Sequence, residues 1–306
     1  MNGFHLLLAF VAGVAIPARA AACEISIAAP GSVQFEGESG QGYDSFTALQ
    51  FETDFIVILE NRGAEPCDGL ASFRVPGALI RLLDTGGASL TYEILGPTNT
   101  NSVITPAGDP IDRTEAVLLQ LASGQSQQLA FRFRVPAQQI VPAGTYSQSA
   151  VIEFVETDDA GLPVERSLEF IARVRSSMTL MLFDNSVTRG AGDGRSAVLD
   201  FDVLETGEQL SLSLLVVSND PYTVDFLSEH AGRLAHSVLG DAHVIPYQLT
   251  LDGAPIPLGP APAGTARREP TPAGGNQSRI AVRIGEVGLA RAGTYEDVIT
   301  VSIQPD

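Results

Sequence analysis

The sequence predicts an all-β fold arranged as two tandem antiparallel β-sandwiches, and three observations carry that prediction. Apolar and polar residues alternate over strand-length stretches. Examples are Leu129-Ala130-Phe131-Arg132-Phe133-Arg134-Val135, Leu168-Glu169-Phe170-Ile171-Ala172-Arg173-Val174 and Val198-Leu199-Asp200-Phe201-Asp202-Val203. A period of two is the mark of a strand with one buried face. Turn-forming clusters separate such stretches at short spacing: Asn61-Arg62-Gly63, Asp84-Thr85-Gly86-Gly87, Asp158-Asp159-Ala160-Gly161, Asn219-Asp220-Pro221 and Asp252-Gly253. Finally, the chain repeats itself. Val141-Pro142-Ala143-Gly144-Thr145-Tyr146 and Ala290-Arg291-Ala292-Gly293-Thr294-Tyr295 each precede a strand, over 149–155 and 297–303. Upstream lie Gly-Gln-Ser-Gln-Gln-Leu-Ala-Phe-Arg-Phe from Gly124 and Gly-Asn-Gln-Ser-Arg-Ile-Ala-Val-Arg-Ile from Gly275. Further upstream sit Leu90-Thr91-Tyr92-Glu93-Ile94 and Ile245-Pro246-Tyr247-Gln248-Leu249. Three signatures in one order, offset by roughly 150 residues, indicate tandem copies of one domain. A chain of 306 residues holds two domains of that size. The boundary is placed at Arg175-Ser176-Ser177, giving copies over 23–175 and 176–306.

The elements follow in chain order. Residues 6–16 (LLLAFVAGVAI) form an apolar run too short to span a bilayer and suited to a signal-peptide core. Pro17 and the small-x-small pattern Ala18-Arg19-Ala20 come next, so residues 1–22 read as a signal peptide cleaved after Ala20 or Ala22. Its n-region offers the amino terminus and His5; Ala20-Ala21-Ala22-Cys23 lacks the aliphatic residue of a lipoprotein box. Export places Cys23 and Cys67, the two cysteines of the chain, in an oxidising compartment, where they pair as one disulfide. It closes a loop of about 45 residues and stabilises the first domain by about 4 kcal/mol on the chain-entropy estimate.

Within the copies, 55–59 and 210–217 are continuously apolar, which suits strands buried in a sandwich core. Residues 228–238 are the one stretch compatible with a helix. The copies end differently. The first continues from its Ala-Gly-Thr-Tyr strand through 157–163 into another strand over 164–175, whereas the second has just Gln304-Pro305-Asp306 after Ile303. If the copies share a fold, the second lacks a strand, leaving an open groove and an unpaired edge for another chain to fill. In the alternative reading, 164–175 is the first strand of the second copy.

Charge excludes several functions. Asp plus Glu number 36 against 18 basic residues, all of them arginine, for a formal charge of −18. Such a chain repels phosphate backbones, so nucleic acid is not a partner. The absence of lysine removes Schiff-base, P-loop and kinase chemistry. His230, His236 and His243, with Glu229 and Asp241 nearby, could bind zinc or copper, but their spacing matches no single helix or strand face. Gly37-Glu38-Ser39-Gly40 has the wrong spacing for a nucleophile elbow. Asp158-Asp159 reads as a turn former, and Asp184-Asn185 with Asp193 lacks the calcium-loop pattern. Asn276-Gln277-Ser278 is a formal glycosylation sequon. No catalytic, cofactor or metal residue is assigned, and the chain reads as a non-enzyme.

The terminal Ala-Gly-Thr-Tyr strand, the upstream Tyr-x-Leu strand and a cysteine just after the signal peptide resemble the spore coat protein U-like domain family, most clearly over 244–303. Members are secreted subunits of archaic chaperone–usher fimbriae. The resemblance implies an incomplete immunoglobulin-like fold, completed by a periplasmic chaperone and then by the donor strand of a neighbouring subunit, with an outer-membrane usher as a further partner. It also implies localisation at the cell surface or secretion. Two departures stand out: the second copy has no cysteine, and Cys23 follows cleavage with no room for a donor segment. Two domains with no donor segment suit a tip adhesin whose first copy binds a surface or receptor, as in attachment or biofilm formation. A secreted coat or carbohydrate-binding protein is the alternative. A periplasmic assembly chaperone fits less well, because such chaperones anchor a subunit's carboxylate with basic residues, commonly lysine. For recognition, the longer loops 31–45, 76–85 and 96–110 are the candidates. Leu79, Ile80, Leu82 and Leu83 are either an adhesive patch or core strand residues.

Overall fold

The computed structural model describes residues 23–77, 79–98, 101–157, 162–184 and 196–305. The leader read over 1–22, the Asp158-Asp159 turn and the Asn185 and Asp193 side chains lie outside them. The first half contains β1 (Ile25–Ala28), β2 (Ser32–Phe35), β3 (Phe51–Asn61), β4 (Cys67–Val75), β5 (Arg81–Leu83) and β6 (Ser89–Thr91). It continues with β7 (Glu93–Leu95), β8 (Ile104–Pro106), β9 (Val117–Leu121), β10 (Ser126–Val135), β11 (Gly144–Glu156) and β12 (Val164–Val174). The second half contains β13 (Met178–Asp184), β14 (Gln209–Ser218), β15 (Tyr222–Ser228), β16 (Arg233–His236) and β17 (Gly240–Leu251). It closes with β18 (Ala254–Ile256), β19 (Ala263–Gly264), β20 (Asn276–Ile284), β21 (Tyr295–Glu296) and β22 (Ile299–Pro305). The all-β sandwich fold expected from the alternation is the observed one, and it is immunoglobulin-like, as the resemblance implies.

In the first half, a sheet of order β1-β3-β10-β7 packs on one of order β2-β12-β11-β4-β8. The alternation dictates the faces. On β10, Leu129, Phe131, Phe133 and Val135 point into the core, and Arg132 turns outward to Glu52, with Arg134 likewise paired to Glu93. Phe55, Phe73, Phe131, Phe133 and Phe170 form the centre of the core, with Phe73–Phe131 and Phe133–Phe170 ring centroids 5.0 Å apart. Cys23 and Cys67 are bonded, their Cα atoms 5.4 Å apart, tying the residues ahead of β1 to the first residue of β4 in the opposite sheet. In the second half, β13-β14-β20-β17-β16-β21 faces a three-stranded sheet of order β19-β15-β22 around Leu214, Val216, Phe226, Leu249 and Val282.

Hydrogen bonds repeat between the halves. Tyr146 donates through its hydroxyl to Pro142 O (2.8 Å) and Tyr295 does the same to Arg291 O (3.0 Å), each four residues back. This is the tyrosine-corner arrangement of sandwich domains. Gly144 and Gly293, two residues ahead of each tyrosine, have φ of 156° and 155°. Tyr92 donates to Gln148 (2.8 Å) and Tyr247 to Asp297, and both acceptors lie two residues after the corner tyrosine. The ladders match as well: β4–β11 pairs Phe73 with Ile152, and β15–β22 pairs Phe226 with Val301. Replacing Tyr146 by Phe is expected to lower the stability of the first sandwich by about 1 kcal/mol, the net worth of one hydrogen bond. Urea unfolding would show it, with a smaller loss for Tyr295→Phe, whose bond is exposed.

Three expectations need correction, and one alternative reading falls away. Residues 228–238 form no helix: they turn through Ala231 and Gly232, both at positive φ, into β16. The stretch 55–59 is not buried on both faces, since Ile56 and Ile58 are 46% and 39% exposed while Phe55, Val57 and Leu59 are buried. Residues 198–203 join no sheet, although Leu199 and Phe201 pack on the second core. The strand over 164–175 is not the start of the second copy: β12 pairs with β11 from Gly144↔Val174 to Phe154↔Val164, and its Leu168, Phe170, Ala172 and Val174 belong to the first core.

The halves meet at a short polar junction. The Asn219 side chain accepts from Ser177 N (2.8 Å) and donates to Arg175 O (2.9 Å) and Ser45 Oγ (3.4 Å). Arg175 also forms an ion pair with Asp44.

Candidate docking groove

The site is a groove in the second sandwich, and the comparison between the halves explains why it exists. In the first, β12 is hydrogen-bonded antiparallel to β11 on one side and parallel to β2 on the other. Its alternating Leu168, Phe170, Ala172 and Val174 fill the space between the sheets. In the second, β22 holds the place of β11, pairing with β15 as β11 pairs with β4. Among the described residues no strand pairs with the other edge of β22. The space is a cavity of about 1090 Å³. One wall carries Leu180, Leu182, Leu249 and Val282; the other carries Phe226, Ile299 and Val301.

A third side is residues 196–204. They stand between β13 and β14 as β2 stands between β1 and β3, and Leu199-Asp200-Phe201 matches Val33-Gln34-Phe35 in pattern. Leu199 and Phe201 face the core, as Val33 and Phe35 do. They join no ladder: among the described residues, the strand that β2 pairs with has no counterpart in the second sandwich. The expected strand over 198–203 was thus correct about Leu199 and Phe201 turning inward and wrong about Val203, which is 75% exposed, and about pairing.

One end of the groove is polar. Tyr247 donates to Asp297, Ser228 Oγ donates to the same carboxylate (2.6 Å), and His230 N donates to its other oxygen (3.0 Å). Burial, and next the bond to Asp297, push the Tyr247 hydroxyl far above its ordinary pKa, so it stays protonated and donating. The network fixes the 293–298 segment as a wall. Gly293 lets this wall pass His236: a Cβ there would stand 2.2 Å from the His236 Nε2. Asp297 escaped the sequence reading, although it lies two residues after the corner tyrosine, where Gln148 lies in the first copy.

The histidines do not converge. His230 Nδ1 lies 2.9 Å from Asp241. His236 Nδ1 accepts from Val238 N (3.1 Å) and Leu239 N (3.3 Å), which assigns the ring proton to Nε2, 3.4 Å from Ala292 O. His243 is half-buried on β17. Among the described residues no group of three or more His, Cys, Asp or Glu side chains is arranged to hold a metal.

The candidate recognition loops separate by position. β2 and β4 run in the same direction as β12, which leads into the junction, so 36–45 and the described residues 76–77 and 79–80 lie at the end facing the second half. Tyr43 O accepting from Arg175 N confirms the placement of the first. Residues 104–109 lie along the side beside β4, where Arg74 donates to Pro106 O (3.3 Å) and Asp109 O (2.8 Å). The end pointing away from the junction is formed by the turns 62–66 and 122–125 and the approach to β12, where Leu162 is 94% exposed. In the apolar run 79–83, Leu82 is core, Ile80 is partly buried, and Leu79 and Leu83 are exposed.

Beside Arg74, Glu153 is almost fully buried, 2.5 Å from the Arg74 Nε. Burial raises its carboxyl pKa above the usual range, and the Arg74 charge and hydrogen bond oppose the rise. A folded-state pKa above the unfolded one gives stability that is complete below the unfolded value of about 4.3 and is lost as pH rises through the folded value. The first sandwich should therefore lose this stability as pH rises above about 4.3 and through the folded value, and Glu153→Gln should flatten that part of the profile in thermal melts taken from about pH 3 to 7.

No protein-family model matches the chain, and no curated protein matches it. Solved structures with a similar arrangement include the chaperone–tip adhesion subunit pre-assembly complex CsuC–CsuE from archaic chaperone-usher Csu pili of Acinetobacter baumannii. Identity there is 16%, over 92% of this chain and 100% of that one, with a TM-score of 0.41. The CupB6 tip adhesin from Pseudomonas aeruginosa is 10% identical over 92% and 93% of the two chains, with a TM-score of 0.40. CfaE, the adhesive subunit of the CFA/I fimbria of enterotoxigenic Escherichia coli, is 11% identical over 92% and 81%, with a TM-score of 0.38.

Proposed function

We propose that the chain is an exported structural and adhesive subunit of a chaperone–usher fimbria, with the second sandwich as its point of attachment and the first as its outward, surface-binding module. One observation carries the reading: among the described residues, the second sandwich has an apolar groove and an unpaired β22 edge where the first has β12. Apolar area of this kind is filled in a stable protein, and each large side chain buried in it contributes about 1.5–3 kcal/mol. An extended segment with alternating apolar residues satisfies both the groove and the edge. The first sandwich, complete in itself, needs no such partner and is free to project, its 62–66 and 122–125 turns leading. A disulfide suits export through an oxidising periplasm. Partners on this reading are a periplasmic chaperone, an outer-membrane usher and a neighbouring subunit. The spore coat protein U-like resemblance and the tip position belong to the same proposal.

Hydrogen exchange tests it. Amides of β22 should exchange quickly in the free chain while those of β11 stay protected, and co-expression with a fimbrial chaperone should yield a soluble complex in which β22 is protected. Equal protection of β11 and β22 in the free chain, with no chaperone complex, would overturn the reading.

A further inference from the structure

The first sandwich contains a strand with no counterpart among the described residues of the second, so it can be read as a template for the occupant; this inference rests on the strand-acceptor reading. The register is explicit. On β12, Phe170 lies opposite Gln148, Ile171 opposite Ser147 and Ala172 opposite Tyr146 on β11, while Ile171 lies beside Gln34 on β2. The corresponding residues of the second sandwich are Asp297, Glu296 and Tyr295, with Asp200 in the place of Gln34. At the level of Ile171, then, two neutral neighbours in the first copy become two carboxylates in the second. Asp200 and Glu296 are both exposed and both line the groove.

We infer that the groove selects a strand of another polypeptide running antiparallel to β22, with a large apolar residue level with Asp297, a small one level with Tyr295, and between them an outward-facing Arg or Lys flanked by Asp200 and Glu296. The two inward positions follow from Phe170 and Ala172, which fill that space in the first copy. The basic residue follows from charge: a cation gains two nearby opposite charges at that position, and an anion meets two like ones. The rest of the chain, at −18, reinforces the preference at long range.

The test uses peptides of this chain's own residues 164–175 (VERSLEFIARVR) against the mature full-length protein. Three versions are compared: unchanged, Ile171→Lys and Ile171→Glu, with Phe170→Asp as the control for groove insertion. The Lys peptide is expected to bind about tenfold more tightly than the Glu peptide at low salt, an effect of the size expected for a few exposed charge pairs. The gap should shrink at 0.5 M salt and vanish in the Asp200→Asn, Glu296→Gln double variant. Phe170→Asp should abolish binding. Equal affinities for the Lys and Glu peptides, with the Phe170→Asp peptide still excluded, would overturn the charge preference and leave the acceptor groove standing. Failure of every peptide to bind, the groove being held by the chain's own residues, would overturn both.

Discussion

Replacing Phe170 by alanine is expected to lower the stability of the first sandwich by about 3–5 kcal/mol, the range for truncating a fully buried aromatic residue. Phe170 has no exposed surface and contacts the rings of Phe55, Phe73, Tyr92 and Phe133 at centroid distances of 5.0–5.9 Å. These rings come from β3, β4, β10 and the residue between β6 and β7, so the vacancy would open where both sheets meet. Partial collapse is hindered because the neighbours are themselves stiff and packed on one another. Calorimetry of the full chain should show the transition of the first sandwich falling while that of the second stays in place. A loss below about 1 kcal/mol would mean that β12 is not seated as described. The same substitution weakens the template on which the occupant of the second groove is inferred, so the two experiments cross-check each other.

Removing the disulfide should have a comparable effect on the same half. The bond between Cys23 and Cys67 closes a loop with a sequence separation of 44, for which chain entropy gives about 4 kcal/mol. For a domain of this size that corresponds to a fall of about 8–16 °C in melting temperature. The Cys23→Ser, Cys67→Ser double variant is the cleaner test, since Cys67 is 1% exposed and a reductant reaches it slowly in the folded protein. The second sandwich, which has no cysteine, serves as the internal reference. Equal shifts in both transitions would show that the halves unfold together through the Asn219 junction.

The fold was legible where side chains alternate strictly, because a strand with one buried face writes its geometry into the sequence at every second residue. β10 and β12 are the examples. It was less legible where pairing, rather than burial, decides the structure. Residues 198–203 alternate as well as β12 does, yet remain outside any sheet, since a strand needs a neighbour and the sequence of one segment says nothing about its partner. Residues 228–238 were the one stretch compatible with a helix. The turn at Ala231-Gly232 and the pairing of β16 with β17 override that compatibility. The groove was legible as a difference between two chain segments, whereas its polar end was not. Asp297 acquires its role from Tyr247 and Ser228, which lie 50 and 69 residues away in sequence.

The direction of β12 has a mechanical consequence. It is the last strand of the first sandwich and runs straight into the junction at Arg175 and Ser177, flanked along its length by β11 and at its middle by β2. A pull transmitted from the second sandwich therefore acts along the axis of β12 and loads its ladder in shear, with the eleven residue pairs from Gly144↔Val174 to Phe154↔Val164 sharing the force at once. A strand attached at right angles to the pull would instead peel away one bond at a time. The connection between the two halves is thus strongest in the direction in which a protein tethered at one end and attached to a surface at the other would be stretched.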